Sequence, residues 1–331
     1  MSELLDGKTK YTRGQGSPAL CEAVAHHLMK TSKISVSPEN VLITPGAKQA
    51  LLYSYMTVLN PSDEAILLSP SWASYEPMIS IIGGVPVNVP VDRKNFHPDM
   101  DAIRSSITDR TRMIMVNSPC NPTGAVYTRE EIEEIVSIAI EHDLWIISDE
   151  IYSRLIWNGG EHVSPATIEG GKERTIVISG WSKTWAMTGM RVGFLAGPEQ
   201  AVRAAVKCQA NSASHIPTFM MEAARVALDC DDHVERFSDA YRHRRNLIVQ
   251  GLEDIPGLRI VNPEGAFYLF IDVTGTGMSD VQFADGALKA GVQLIPASLI
   301  TGGEGFIRVS YAASEEDIKE GINRLRSWLL E

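Results

Sequence analysis

Three short apolar runs in this sequence end on residues able to do chemistry. Met113 to Val116 runs into Asn117-Ser118-Pro119-Cys120-Asn121-Pro122-Thr123-Gly124, Trp145 to Ser148 into Asp149-Glu150-Ile151-Tyr152, and Thr175 to Ile178 into Ser179-Gly180-Trp181-Ser182-Lys183. If these runs are strands of a mostly parallel sheet, an amide, a carboxylate with a phenol, and an amine meet at one rim, because ligands bind beyond the carboxyl ends of such strands. A fourth run, Val41 to Thr44, ends in Pro45-Gly46-Ala47-Lys48 before a helical pattern. Strand, glycine turn and helix N-terminus together make a seat for phosphate. Arg191, in Thr188-Gly189-Met190-Arg191-Val192-Gly193, adds a guanidinium that can reach the same anion. A phosphate seat, a buried acid, a phenol and a lysine in one place point to pyridoxal phosphate, held on the lysine as a Schiff base with the acid paired to the ring nitrogen.

The elements that must position these residues follow one rhythm of apolar strand, turn and amphipathic helix. Further strands are expected at Ala65 to Leu68, Val85 to Val89 and Val192 to Ala196, and helices at Ser17 to Lys30, Ala47 to Leu59 and Arg129 to His142. Near-continuous apolar strands suit a sheet covered on both faces. Thr128 with Glu131 three residues on reads as a capping box for the third helix. The fold class is therefore α/β, a three-layer sandwich with a mostly parallel sheet. After about Ala240 the texture changes to a basic stretch, Tyr241 to Arg245, on a helix, then short strands around Phe267 to Val273 and Phe306 to Ser310 and a closing helix, Glu315 to Leu330. This gives a large domain over 1–240 and a smaller α+β domain over 241–331.

Composition removes other classes. With 331 residues, 44% hydrophobic and 21% charged, the chain can bury a sizeable core and is neither disordered nor fibrous. Asp plus Glu outnumber Lys plus Arg by 41 to 30, for a net charge of -11, and no basic run tracks a phosphate backbone, so nucleic acid is not an expected partner. Four scattered cysteines form no C-x-x-C pair, and no H-E-x-x-H occurs, so no disulfide framework and no metal site are expected. No apolar stretch is long enough to span a bilayer and the start lacks a signal peptide, which makes the expected location the cytoplasm and leaves the membrane out.

The strings Asn121-Pro122-Thr123-Gly124, Asp149-Glu150-Ile151-Tyr152 and Ser182-Lys183-Thr184-Trp185-Ala186-Met187-Thr188-Gly189-Met190-Arg191-Val192-Gly193 resemble the fold-type I pyridoxal phosphate aminotransferases of class I/II, in spacing as well as letters. The resemblance implies roles for named residues. Lys183 is the Schiff-base lysine and the base that moves the substrate's Cα proton; Asp149 pairs with the ring nitrogen; Tyr152 and Asn121 hydrogen-bond the ring's phenolic oxygen. Arg191 and Ser182, with backbone amides at Gly46 and Ala47, hold the phosphate, and Trp72 stacks on the ring. Where many members carry a hydroxyl residue this chain has Gly180, with Ser179 as a substitute contact. Tyr11 crosses to the partner's phosphate, which implies a homodimer with shared sites, and Asn211 lies in the loop that approaches the neighbour. Arg308, in Gly305-Phe306-Ile307-Arg308-Val309-Ser310, grips the substrate α-carboxylate.

The same resemblance makes the expected reaction transamination of an L-amino acid with a 2-oxo acid. Gly46-Ala47-Lys48-Gln49-Ala50-Leu51 resembles the branch in which this lysine contacts a dicarboxylate's distal end, which tilts the donor to aspartate or glutamate with 2-oxoglutarate as acceptor. Lys48 reads equally as a phosphate or solvent contact. Aromatic or kynurenine-type donors, a C-S lyase or decarboxylase on the same fold, and a cofactor-binding protein without turnover are the alternatives. Gly14-Gln15-Gly16-Ser17-Pro18-Ala19 fits a dinucleotide fingerprint, but no strand precedes it. Members of the resembled family carry a longer segment before the position of Tyr11, so either the start is truncated or closure over the substrate and dimer strength are altered.

Overall fold

Seven apolar segments pair into one sheet: β1 (Val41–Thr44), β2 (Glu64–Ser69), β3 (Val85–Pro90), β4 (Thr111–Asn117), β5 (Trp145–Asp149), β6 (Thr175–Gly180) and β7 (Gly193–Ala196), in the order β1-β7-β6-β5-β4-β2-β3. The computed structural model describes residues 2–7, 9–157, 159–300 and 302–330. Neighbouring strands are parallel except where β7 runs antiparallel to both β1 and β6. β1 and β2 are buried along their whole length, whereas β3, at the sheet edge, is largely open and carries Pro86 and Pro90, residues that a central strand excludes.

Side-chain alternation feeds two cores. Along β4, Ile114 and Val116 pack on the side of the helix Arg129–Glu141 with Ile132, Ile135 and Val136, while Met113 and Met115 pack on the side of the helix Ala47–Val58 with Leu51 and Tyr55. These are the two covering layers of a three-layer α/β sandwich. The expected capping box is present, with Thr128 and Glu131 each receiving the other's backbone N–H. On the helix Pro18–Ser32, the Ser17 hydroxyl accepts from Leu20 N.

A second, antiparallel sheet follows, β8 (Arg259–Ile260), β9 (Tyr268–Asp272), β10 (Ile295–Pro296) and β11 (Phe306–Ser310), ordered β10-β11-β9-β8. Leu269 and Ile271 of β9 face the core built with the helices Asp280–Lys289 and Glu315–Leu330. Tyr268 and Phe270 take the other face, where Phe270 stacks on Phe306 with ring centroids 4.8 Å apart. One helix, Asp231–Leu252, bridges the two sheets: Val234 packs in a cluster with Leu20, Trp181 and Phe194, and Ile248, Val249 and Leu252 pack in the core of the second sheet.

His97 ties the parts together. Its Nδ1 lies 2.8 Å from Glu131 Oε1, in the first turn of the helix Arg129–Glu141, and its Nε2 lies 3.3 Å from Glu264 Oε2, in the segment before β9. Glu264 Oε2 in turn accepts from Val126 N at 2.9 Å, and Gly124 O accepts from Glu264 N at 2.9 Å, so the loop that begins at Asn121 is fastened to the second sheet. Hydrogen bonds to the two carboxylates raise the His97 pKa to about 9.

Candidate active site

The register of the sheet decides which polar residues meet. Asn117 pairs with Asp149 across β4 and β5, Asp149 with Ile178 across β5 and β6, and Gly180 with Gly193 across β6 and β7, while Thr44 of β1 also lies opposite Gly193. The chain segments leaving β1, β4, β5 and β6 therefore emerge at one rim. There they enclose a cavity of about 250 Å³, lined by Ala47, Lys48, Trp72, Asn121, Asp149, Tyr152, Ser182, Lys183 and Arg191 among others. These nine were expected at a single site from sequence.

The anion seat depends on missing side chains. Gly46 sits at φ +83°, and a Cβ there would come within 2.6 Å of Arg191 Nη2. A Cβ on Gly193 would fall 2.3 Å from Ala47 N, and one on Gly180 2.8 Å from Gly193 Cα. The strand pair, the guanidinium and the first turn of the helix Ala47–Val58 can pack this closely only because all three residues are glycine. The free N–H groups of that first turn then point outward beside the Arg191 guanidinium, two features that both favour an anion. Gly180 thus leaves no space for a side-chain hydroxyl at its position. Ser179 does not substitute for it: its hydroxyl turns to Glu150 O at 3.4 Å and it does not line the cavity.

Lys183 projects from a single helical turn, Trp181–Thr184, that follows β6 directly. Trp181 anchors this turn, being fully buried with Nε1 donating to Ala224 O at 2.8 Å. Lys183 Nζ stands 5.1 Å from the Phe267 ring centroid and 5.9 Å from that of Tyr152. Burial lowers its pKa, opposed by the Asp149 charge and reinforced by Arg308 and Arg191. Asp149 is buried and accepts from Tyr75 OH at 2.8 Å and from Ile151 N at 3.2 Å. Burial nonetheless outweighs those bonds and pushes its pKa up to about 6. Asn117 Nδ2 donates to Asp149 O at 3.0 Å, and its Oδ1 accepts from Asn121 N at 2.9 Å, which joins the ends of β4 and β5 to the loop that follows β4.

The remaining expected residues sit at different distances from the cavity. Arg308 is not part of the lining, but its Nη1 donates to Asn121 Oδ1 at 3.2 Å and its guanidinium lies 4.9 Å from the Tyr268 ring centroid. Lys48 Nζ stands 4.8 Å from the Trp72 ring centroid. Tyr11 is outside the cavity of its own chain, 92% exposed, its ring edge-on to His215. Asn211 caps the helix Glu199–Ala210, with Nδ2 donating to Lys207 O at 2.8 Å.

Leu51, Tyr75, Asn117, Ile151, Thr188 and Tyr268 also line the cavity and were not assigned from sequence. Asn117 carried a signal as the first polar residue after the β4 run. Tyr75 and Tyr268 carried none, each being indistinguishable from core aromatics by pattern.

The donor set fits pyridoxal phosphate: an amine with depressed basicity, a buried acid, and an anion seat of glycine, helix N-terminus and guanidinium. The family model "Aminotransferase class I and II" matches residues 4–325. The chain belongs to the class I and II aminotransferases. As a member it is a pyridoxal phosphate-dependent enzyme that transfers amino groups between amino and oxo acids. It is 39% identical to the aspartate/prephenate aminotransferase of Thermus thermophilus, over 97% of this chain and 83% of that one. It is 40% identical to aromatic-amino-acid aminotransferase 2 of Thermococcus litoralis, over 99% of this chain and 86% of that one. Among solved structures, the Thermus thermophilus aspartate aminotransferase with maleate superposes with a TM-score of 0.95 at 38% identity, covering 99% of this chain and 86% of the other. Among the described residues no helix is long and apolar enough to cross a membrane, and no cluster of His, Cys, Asp and Glu could hold a metal ion.

Proposed function

We propose that this aminotransferase uses a dicarboxylic amino acid, aspartate or glutamate, as donor and a dicarboxylic 2-oxo acid such as 2-oxoglutarate as acceptor. One observation carries the reading. Lys48, Lys183 and Arg191 line a cavity in which Asp149 is the sole carboxylate among the described lining residues, in a chain whose net charge is -11. A cationic pocket on an acidic protein focuses field toward polyanionic ligands, and a cofactor phosphate with a two-carboxylate substrate supplies them. The similarity to the aspartate/prephenate aminotransferase of Thermus thermophilus and the aspartate aminotransferase of Pyrococcus abyssi supports the same assignment.

When bound, pyridoxal phosphate supplies a conjugated ring that withdraws electron density from the substrate Cα. In this reading Gly46 and Ala47 backbone amides, Ser182 and Arg191 hold its phosphate, Trp72 covers its ring, and Asp149 pairs with its ring nitrogen. Tyr152 and Asn121 address its phenolic oxygen. Lys183 carries the cofactor at rest and moves the proton at the substrate Cα; burial lowers its pKa, which favours the neutral form of the amine that accepts that proton. Arg308 clamps the α-carboxylate as a planar fork and Lys48 meets the distal carboxylate as a point charge. The exposed ring of Tyr11 suits a contact made to a partner's phosphate, so the working unit is a homodimer, placed in the cytoplasm. We assign cofactor binding to the residues up to about 240 and the α-carboxylate clamp to those after it. An aromatic donor is the second reading, favoured by the Thermococcus litoralis relative and by the Trp72–Tyr75 pair, whose ring centroids are 5.3 Å apart.

A single-turnover panel on the holoenzyme tests this. L-Aspartate and L-glutamate are expected to convert the cofactor to its amine form with one equivalent of 2-oxo acid. Lys48→Gln is expected to weaken both donors by about 10-fold or more, as losing a hydrogen bond to a charged group does, while sparing phenylalanine. Release of ammonia and pyruvate, or a preference for monocarboxylic donors, would refute it.

A further inference from the structure

Tyr268 lies on β9, in a strand whose sequence reads as core, yet its side chain takes the face toward the cavity and lines it. Two contacts leave it in different directions. Its hydroxyl is 3.0 Å from the Tyr152 hydroxyl, and its ring face lies under the Arg308 guanidinium, 4.9 Å from the centroid. The second contact follows from strand register. Ser310 stands directly opposite Tyr268 across β11 and β9, so Arg308, two residues along, is its diagonal neighbour within reach of a long side chain. Arg308 continues to Asn121 Oδ1.

The hydroxyl pair has a direction. Burial raises the pKa of both phenols, so both are neutral and the two oxygens share two protons. One proton fills the contact between them and the other is free to point elsewhere. Arg308 lowers both phenols, but Tyr152 is the more deeply buried and also faces the Asp149 charge, which leaves Tyr268 the more acidic phenol, and the more acidic hydroxyl is the better donor. Tyr268 then donates to Tyr152, and the Tyr152 proton is turned into the cavity that Tyr152 lines. Donation to Tyr152 also polarises its hydroxyl and strengthens whatever bond its own proton makes.

We propose that Tyr268 is a positioning residue with two separable functions: its hydroxyl orients and strengthens Tyr152 as a donor to the cofactor's phenolic oxygen, and its ring holds Arg308 in place for the substrate carboxylate. The proposal rests on the roles given above to Tyr152 and Arg308. Losing the Tyr268 hydroxyl weakens the Tyr152 bond, leaves the phenolic oxygen a stronger base, and so raises the pH at which the chromophore formed with Lys183 gives up its proton.

The test uses holoenzyme without turnover, with two readouts: the pH midpoint of the cofactor's absorbance change, and the Kd of maleate as a non-reacting dicarboxylate. Tyr268→Phe keeps the ring; its midpoint is expected to rise by about half a pH unit or more, a threefold change in proton affinity, with maleate affinity within about twofold of the parent. Tyr268→Leu removes both groups; the midpoint is expected to rise similarly and maleate to bind roughly 5-fold or more weakly, as loss of a partly buried cation–π contact implies. An unchanged midpoint in Tyr268→Phe, or equal maleate affinity in Tyr268→Leu and the parent, would overturn the proposal. Tyr152→Phe and Arg308→Lys separate the levels. If they move the two readouts and the Tyr268 variants do not, the positioning role alone fails; if they move neither, the assigned roles of Tyr152 and Arg308 fail and the proposal with them.

Discussion

Asp149 should be a residue whose function opposes stability, and Asp149→Asn measures by how much. In the cofactor-free protein, burial raises its pKa from 3.8 to about 6, roughly two units, which at 1.36 kcal/mol per unit is a cost of about 3 kcal/mol. The sign follows from proton binding. The folded state holds the Asp149 proton more tightly than the unfolded chain, so this contribution to stability falls as pH rises from about 4 to about 6 and its full cost is present above pH 6. Asparagine removes the charge and keeps the shape, but one of its two terminal atoms becomes a donor, which forfeits the longer contact, Ile151 N at 3.2 Å, for about 1 kcal/mol. The net expectation is a gain of about 2 kcal/mol at pH 8, roughly 2–4 °C in Tm for a chain of this size, reversing to a loss of about 1 kcal/mol near pH 4. Thermal unfolding of the cofactor-free variant and parent across pH 4 to 8 reads this directly. A variant less stable than the parent by the same margin at both ends of that range would refute the claim that the buried charge is costly.

Other substitutions probe other parts of the site and fold. Lys183→Ala should lower turnover by at least about 10²-fold, the low end for a positioned proton-transfer group, measured as 2-oxo acid formed per active site. Gly193→Ala places a Cβ against Ala47 N and should raise the Kd for pyridoxal phosphate by spreading the anion seat, read by fluorescence titration of the cofactor-free protein. His97→Gln tests the link between Glu131 and Glu264. Because the folded pKa of His97 is raised from 6.5 to about 9, its stabilisation is fully present below about pH 6.5 and is lost as pH rises through about 9. The parent's unfolding free energy from urea titrations should decline between pH 7 and 9.5 by an amount on the order of 1 kcal/mol after solvent screening, and the glutamine variant should show no such decline.

The sheet and most of the cavity were legible in the sequence because their signals are local. A buried parallel strand must be apolar along its length, and the residue that ends it must meet the ligand, so Asp149, Lys183 and the Gly46 turn are each marked by an abrupt change of residue type. The residues that escaped notice act through long-range pairing. Tyr268 sits in an apolar strand and differs from Phe270 only in a hydroxyl, and its value depends on Tyr152 and Arg308, which are remote in sequence. Tyr75 likewise looks like core until its hydroxyl is seen on Asp149. The Ser179 expectation failed for a related reason: adjacent residues of a strand face opposite sides, so a hydroxyl next to the Gly180 position cannot stand in for one at it.

The central claim is that Lys183 is the amine that holds the cofactor, at the convergence of Asp149 and the Gly46–Arg191 anion seat. Borohydride reduction of the holoenzyme followed by peptide mass mapping tests it most directly. The expected result is one reduced cofactor per chain, attached at Lys183; attachment at Lys48 or at another lysine, or none, would contradict the account.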